Sequence, residues 1–212
     1  MPITEFLEKN AREYKDEVSL VEINPEFRPE SRITWREYSL MQPVPGEPLR
    51  RELTWGDFDK KANRFANLLL SRGLRKGDKV AILMMNSIEW LPAYFGILKA
   101  GAVAVPLNFR YTAEEIKYCL SKADVSILIF GPEFVGRIEE ICDRIPDVKH
   151  LFYVGEDCPT FADCFEDYIV FCSSHKPAVT ITDDDDGAIY FSSGTTGFPK
   201  AILHKHRSLV HA

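Results

Sequence analysis

Residues Lys79–Leu107 read KVAILMMNSIEWLPAYFGILKAGAVAVPL, and this stretch decides the fold class. Its first part, Lys79–Met85, is an apolar run of strand length without alternation, the pattern of a strand buried on both faces. Ser87 stands where it can cap a helix over IEWLPAYFGILKAG, and Pro92 is tolerable there because it falls near the first turn. Gly101 ends that helix, and Ala102–Leu107 supplies a second strand. Strand, helix and strand in so short a span form a βαβ unit, the building block of a parallel sheet.

The pattern continues outward on both sides. Upstream, Phe58, Ala62, Phe65 and Leu69 recur at helical spacing, and Gly73 follows where a left-handed cap is expected. Downstream, Thr112 and Glu115 form a capping box ahead of Ile116, Cys119, Leu120 and Ala123. Val125–Phe130 reads as a strand, Phe134, Ile138, Ile141 and Ile145 mark a helix, and His150–Val154 is a further strand. Alternating strands and helices argue for right-handed crossovers and an α/β fold, a doubly wound, mostly parallel sheet flanked by helices. Residues 53–186 are read as this core. Residues 1–52 ahead of it hold a helix capped by Thr4 (with Phe6, Leu7, Ala11 and Tyr14), a strand Val18–Ile23, and the loop-rich, proline-bearing Asn24–Pro48. The pattern weakens after Gly155. Phe161–Phe171 reads as one helix, and Thr182–Asp186 (TDDDD) as a solvated acidic connector without the spacing or glycine of a calcium loop. Residues 187–212 form the last segment. TWREY at Thr34–Tyr38 and TWGDF at Thr54–Phe58 look alike but are too short to be a repeat.

Composition narrows the function. With 212 residues, 45% of them hydrophobic, the chain can bury a core. A net charge of −6 argues against a nucleic-acid partner, which would need a basic face. The five cysteines, Cys119, Cys142, Cys158, Cys164 and Cys172, include no C-x-x-C pair, which fits reduced thiols in the cytoplasm better than a disulfide framework or a zinc site. The first residues, MPITEFLEKNARE, are too polar for a signal peptide. The apolar stretch Tyr94–Leu107 is broken by Lys99 and two glycines, so no transmembrane segment is expected.

Chemistry concentrates in Ala188–Lys200, AIYFSSGTTGFPK. Ala188–Phe191 has the look of a buried strand, and it runs directly into Ser192, Ser193, Gly194, Thr195, Thr196, Gly197, Phe198, Pro199 and Lys200. Glycines let backbone approach a ligand closely, consecutive amides and hydroxyls can wrap phosphate oxygens, and a lysine adds a compact positive charge. The spacing is not that of the G-x-x-x-x-G-K-[ST] loop, nor is there the serine that should follow its lysine. A plain Ser/Gly/Thr linker is the bland alternative, but linkers rarely follow an apolar strand and end in Pro-Lys.

This run resembles the signature loop of the adenylate-forming enzymes, [ST]-S-G-[ST]-[ST]-G-x-P-K. That family includes acyl-CoA synthetases, luciferases and peptide-synthetase adenylation domains. Two further segments resemble the same family in its order: Leu53–Phe58 (LTWGDF) and Leu98–Asn108 (LKAGAVAVPLN), the latter serving packing rather than chemistry. Ala201 departs from the family's usual glycine, which matters only if that position needs positive φ. His204 and His206 invite a metal reading, yet no third ligand is in sight, and His206 is read as a local cap or packing residue.

The resemblance implies an ATP-dependent acyl-CoA synthetase. A carboxylic acid attacks the α-phosphate of Mg-ATP to give acyl-AMP and pyrophosphate, and coenzyme A then displaces AMP. Residues 192–200 would hold the β- and γ-phosphates. The fold expected is the first part of the family's large N-terminal domain. The family's adenine and ribose motifs, its Mg²⁺-binding glutamate, its acyl pocket and its catalytic lysine all lie further along than Ala212. The chain is therefore expected to be an N-terminal piece, inactive alone, whose exposed apolar surface favours self-association. A peptide-synthetase-type adenylation domain and a non-catalytic, nucleotide- or partner-binding paralogue are the alternatives.

Overall fold

The computed structural model describes residues 1–23, 50–192 and 199–211. The first helix, α1 (Ile3–Glu13), is followed by β1 (Val18–Ile23), β2 (Arg50–Thr54) and α2 (Trp55–Ser71). The core then alternates: β3 (Lys79–Leu83), α3 (Trp90–Lys99), β4 (Val103–Pro106), α4 (Ala113–Lys122), β5 (Val125–Phe130), α5 (Val135–Glu139) and β6 (His150–Tyr153). The last part holds β7 (Asp163–Cys164), α6 (Phe165–Ile169), β8 (Asp186–Ser192), β9 (Lys200–Lys205) and α7 (His206–Val210). β1 and β2 make a small antiparallel pair. The loop-rich reading of Asn24–Pro48 lies outside the described residues, apart from its flanking strands.

Seven strands form one sheet in the order β7-β6-β5-β3-β4-β8-β9, and only β8–β9 is antiparallel. From β3 the chain steps one way to β4 and then back past β3 to β5, so its helices must cover opposite faces. Side-chain alternation shows the result. Val80, Ile82, Ala104, Ile127, Ile129, Phe152 and Ala188 pack beneath α2 and α3, against Phe65, Leu69 and Ile97. Ala81, Leu83, Val103, Val105, Leu128, Phe130 and Ile189 pack on the other face, against Ile116, Leu120, Phe134 and Ile138. The doubly wound, mostly parallel sheet expected from Lys79–Leu107 is what the chain forms. Its central strand, β3, is closed to solvent from Val80 to Leu83, at roughly 1.5–3 kcal/mol of hydrophobic stabilisation for each large side chain.

Caps explain where several helices start. Thr112 Oγ1 accepts from Glu115 N while Glu115 Oε2 accepts from Thr112 N at 2.8 Å, the expected reciprocal box. Thr54 Oγ1 accepts from Asp57 N at 3.1 Å, which gives the LTWGDF segment its structural purpose. α2 and α3 approach closely at Gly96, where an added Cβ would sit 2.8 Å from Phe65. Gly101 takes φ +74 just beyond α3, a conformation that favours glycine.

Four expectations need correction. Thr4 does not cap α1; Pro2 holds that position, its carbonyl accepting from Glu5 N, and Thr4 is buried in the first turn. Ser87 offers its carbonyl to Trp90 N rather than a side-chain cap, and α3 begins at Trp90. A start at Ile88 would put Pro92 where a donating N–H is required; starting at Trp90 leaves it in the first turn, where none is. The single helix over Phe134–Ile145 is instead a 3₁₀ turn at Pro132–Phe134, the short α5, and a second 3₁₀ turn at Cys142–Arg144. Gly136 and the β-branched residues weaken the helix there, while all four marker side chains remain buried. The helix over Phe161–Phe171 is only α6, because Asp163 and Cys164 pair with Phe152 and Tyr153 as β7.

Candidate functional site: the β8–β9 hairpin

β8 carries Gly187, Ala188 and Ile189 into the interior and emerges at Ser192. β9 returns antiparallel to it, with Ser192 opposite Lys200, Phe191 opposite Ala201, Tyr190 opposite Ile202, and Ala188 opposite His204. Ser192 and Lys200 are therefore the last facing pair of a hairpin ladder, at its tip. Ser192 and Lys200 are exposed at that tip, and Pro199 is buried. The expected phosphate contacts of Ser193, Gly194, Thr195, Thr196, Gly197 and Phe198 lie outside the described residues. Because β8 runs parallel to β4, the tip leaves the sheet at the carboxyl ends of the parallel strands. That is the end where open α/β sheets bind ligands.

Period-two alternation puts Lys200, Ile202 and His204 on the same face as Ser192, Tyr190 and Ala188. α3 supports this face. The Tyr94 and Tyr190 hydroxyls lie 2.8 Å apart, Trp90 stacks on Tyr94 at 5.5 Å, and His204 meets the Tyr190 ring edge-to-face at 5.3 Å. Burial, followed by the Tyr190 hydroxyl, pushes the Tyr94 phenol well above the usual tyrosine range. Tyr94 thus stays neutral and holds the strand two residues before Ser192. Ala201 sits in the ladder opposite Phe191 and is not among the residues with positive φ, so its methyl costs the hairpin no strain.

The acidic connector is more ordered than a solvated loop. Asp183 pairs with the amino terminus, Asp184 with Arg207 at 2.7 Å, Asp185 with Lys76 at 2.6 Å and Asp186 with Lys205 at 3.6 Å. The cations come from the amino terminus, from Lys76 and from the β9–α7 junction at Lys205 and Arg207, and together they clasp the base of the hairpin. Burial raises the Asp185 carboxyl, but Lys76 and the Thr182 backbone outweigh it and hold the group below the usual carboxylate range. Beside this clasp, His206 opens α7 at 1% exposure, its backbone N donating to Asp185 O at 3.0 Å. Its Nδ1 has no hydrogen-bond partner among the described residues, and burial pushes its pKa down. His206 is a packing residue, as expected, although Lys205 takes the N-cap position. The reading from sequence missed both the Tyr94–Tyr190 link and the clasp. Nothing local joins two tyrosines that far apart, whereas the run of aspartates was visible and only its partners were not.

Comparison with known proteins decides the family. Residues 7–212 match the family described as AMP-binding enzyme. The chain belongs to that family. It is 35% identical over 161 residues to the long-chain-fatty-acid–CoA ligase FadD13 of Mycobacterium tuberculosis, covering 76% of this chain and 31% of that protein. It is 33% identical over 163 residues to the 3-hydroxybenzoate–CoA/4-hydroxybenzoate–CoA ligase of Thauera aromatica, again covering 76% of this chain and 31% of the relative. The crystal structure of the anthranilate CoA ligase AuaEII in complex with anthranoyl-AMP superposes with a TM-score of 0.81 at 29% identity, over 98% of this chain and 35% of that one. The chain thus spans about a third of the length of these AMP-binding relatives. No helix among its described residues is long and apolar enough to cross a membrane.

Proposed function

We propose that the chain is the phosphate-gripping part of an ATP-dependent acyl-CoA synthetase. The observation that carries this reading is the hairpin that sets Lys200 opposite Ser192 at the carboxyl edge of the parallel sheet. A carboxylate oxygen of the acid attacks the α-phosphorus of ATP, the bond to the bridging oxygen breaks, and pyrophosphate leaves. Lys200 neutralises charge on the departing group, and the hydroxyls of Ser193, Thr195 and Thr196 donate to its oxygens. Gly194 and Gly197 would let the backbone close on them, in the run from Ser192 to Phe198 and Pro199. Electrostatic clamps of this kind are worth roughly 10²–10³ in rate per donor removed. Mg²⁺ brought in with ATP would supply further charge neutralisation beside Lys200. No group of three or more His, Cys, Asp or Glu placed to hold a metal ion occurs among the described residues.

The acid is fatty or aromatic, a range supported by relatives named for fatty acids and for hydroxybenzoates. Coenzyme A takes the acyl group in the second half-reaction, and the free thiols suit a cytoplasmic setting. The 212 residues by themselves grip phosphate without completing a turnover, a proposal supported by their covering about a third of each relative. Acid-dependent exchange of labelled pyrophosphate into ATP tests this. Exchange is expected from a longer product of the same gene and not from this chain. Exchange from neither, with folded protein, would leave a non-catalytic nucleotide-binding module.

A further inference from the structure

β8 is fastened to its parallel neighbour at one place. Its ladder to β4 is the pair Ala104 and Ala188, whereas its ladder to β9 runs from Asp186 to Ser192. Beyond Ile189, then, the strand pairing of the hairpin is with itself. β9 is the edge of the sheet, with Ile202 and Leu203 exposed, so no strand among the described residues supports it from outside. Side chains hold the distal half. On one face Ile189 is buried and half-buried Phe191 packs on the core that includes Leu83 and Phe130. On the other face, the one that carries Ser192 and Lys200, the tie is the 2.8 Å contact between the Tyr94 and Tyr190 hydroxyls. Tyr94 is a firm anchor. It is 6% exposed on α3, its ring stacked on Trp90 at 5.5 Å and met edge-on by Phe95 at 5.9 Å. The Tyr190 ring is braced in turn by His204.

We propose that Tyr94 is a positioning residue for ATP: through Tyr190 it aims Ser192 and Lys200, and phosphate affinity depends on it. The inference rests on the phosphate-clamp reading of the hairpin and adds to it the residue that sets the clamp. Tyr94 acts from a distance, since Tyr190 stands two strand residues, roughly 7 Å, before Ser192. Electrostatic clamps work when their donors are in place before the ligand arrives. With the hydroxyl link made, both ends of the hairpin tip are held on α3 in advance. Without it Tyr190 turns to water, and the tip must be ordered at the expense of binding.

The test is equilibrium binding of Mg-ATP to the wild-type chain, Tyr94→Phe, Tyr190→Phe, the double variant and Lys200→Ala, with unfolding curves for each. Phenylalanine keeps the ring packing at both positions and removes only the hydroxyls. Each tyrosine variant should bind about three- to tenfold more weakly, the scale of one neutral hydrogen bond. The double variant should bind no more weakly than either, because both changes remove the same link. Tyr190→Phe also strands the buried Tyr94 hydroxyl, so the two single variants should differ in stability yet match in affinity. A merely structural role does not produce that pattern. Unchanged affinity in folded Tyr94→Phe, or additive losses in the double variant, would overturn the proposal. Lys200→Ala separates the two failures. Weaker binding there with normal binding by Tyr94→Phe sinks the positioning role alone, whereas normal binding by Lys200→Ala, or none by the folded wild-type chain, sinks the clamp reading with it.

Discussion

Lys99 lies at 2% exposure with its Nζ 2.8 Å from both Asp59 Oδ1 and Asn63 Oδ1 and 3.3 Å from Glu8 Oε1. Asp59 Oδ1 makes no hydrogen bond of good angle, so that contact is charge attraction alone. The residue joins α1 to α2 and α3, and this is the physical content of its place in LKAG. Lys99→Met would strand Asp59 beside apolar surface, while Glu8 keeps Lys176 at 2.8 Å, and urea unfolding should show a loss of about 3 kcal/mol. Tyr94 makes a lighter case. Tyr94→Phe removes one hydroxyl pair, and Tyr190, at 37% exposure, can turn to water, so the same experiment should show about 1 kcal/mol. Because folding raises the Tyr94 pKa, its contribution is complete below the unfolded value near 10 and is lost as pH rises beyond it. Wild-type stability should fall on the alkaline side more steeply than that of Tyr94→Phe.

At the scale of elements, the hairpin depends on what clasps its base. His206 is buried neutral, with its folded pKa depressed, so its contribution is present above the unfolded value of about 6.5 and lost as pH falls below it. Asp185 follows the same direction at lower pH, its stabilisation present above the unfolded carboxylate value and lost on acidification. Denaturant midpoints measured from pH 8 to pH 5 should therefore decline, and His206→Gln should flatten the decline. Elements defined by their own neighbours were legible in the sequence: the Thr112–Glu115 box, β5 at Val125–Phe130, and α2 through Phe58, Ala62, Phe65 and Leu69. The illegible ones were decided by distant partners. β6 recruits Asp163 and Cys164 out of a helical pattern, and Pro92 delays α3 past a good capping serine. The signature strand and Lys200 stood out in the sequence as candidates for phosphate binding, but the Ser192–Lys200 register and the support from Tyr94 come only from the fold.

On the scale of the whole molecule, the sheet sorts stability from function. Its centre, β3 between β4 and β5, is sealed on both faces, and Ile82→Ala there should cost about 2–5 kcal/mol without touching the hairpin. At the carboxyl edge Ser192 and Lys200, the residues proposed to grip phosphate, are exposed. Loss of binding at that edge should therefore be separable from loss of fold. The most direct measurement is equilibrium binding of Mg-ATP to this chain and to Lys200→Ala, with unfolding curves run alongside. Binding should weaken by about tenfold or more in the variant, the scale of one lost charge-assisted contact, while the unfolding midpoint stays in place. Equal affinity in the two proteins, or no binding by the folded wild-type chain, would contradict the reading of this hairpin as a phosphate clamp.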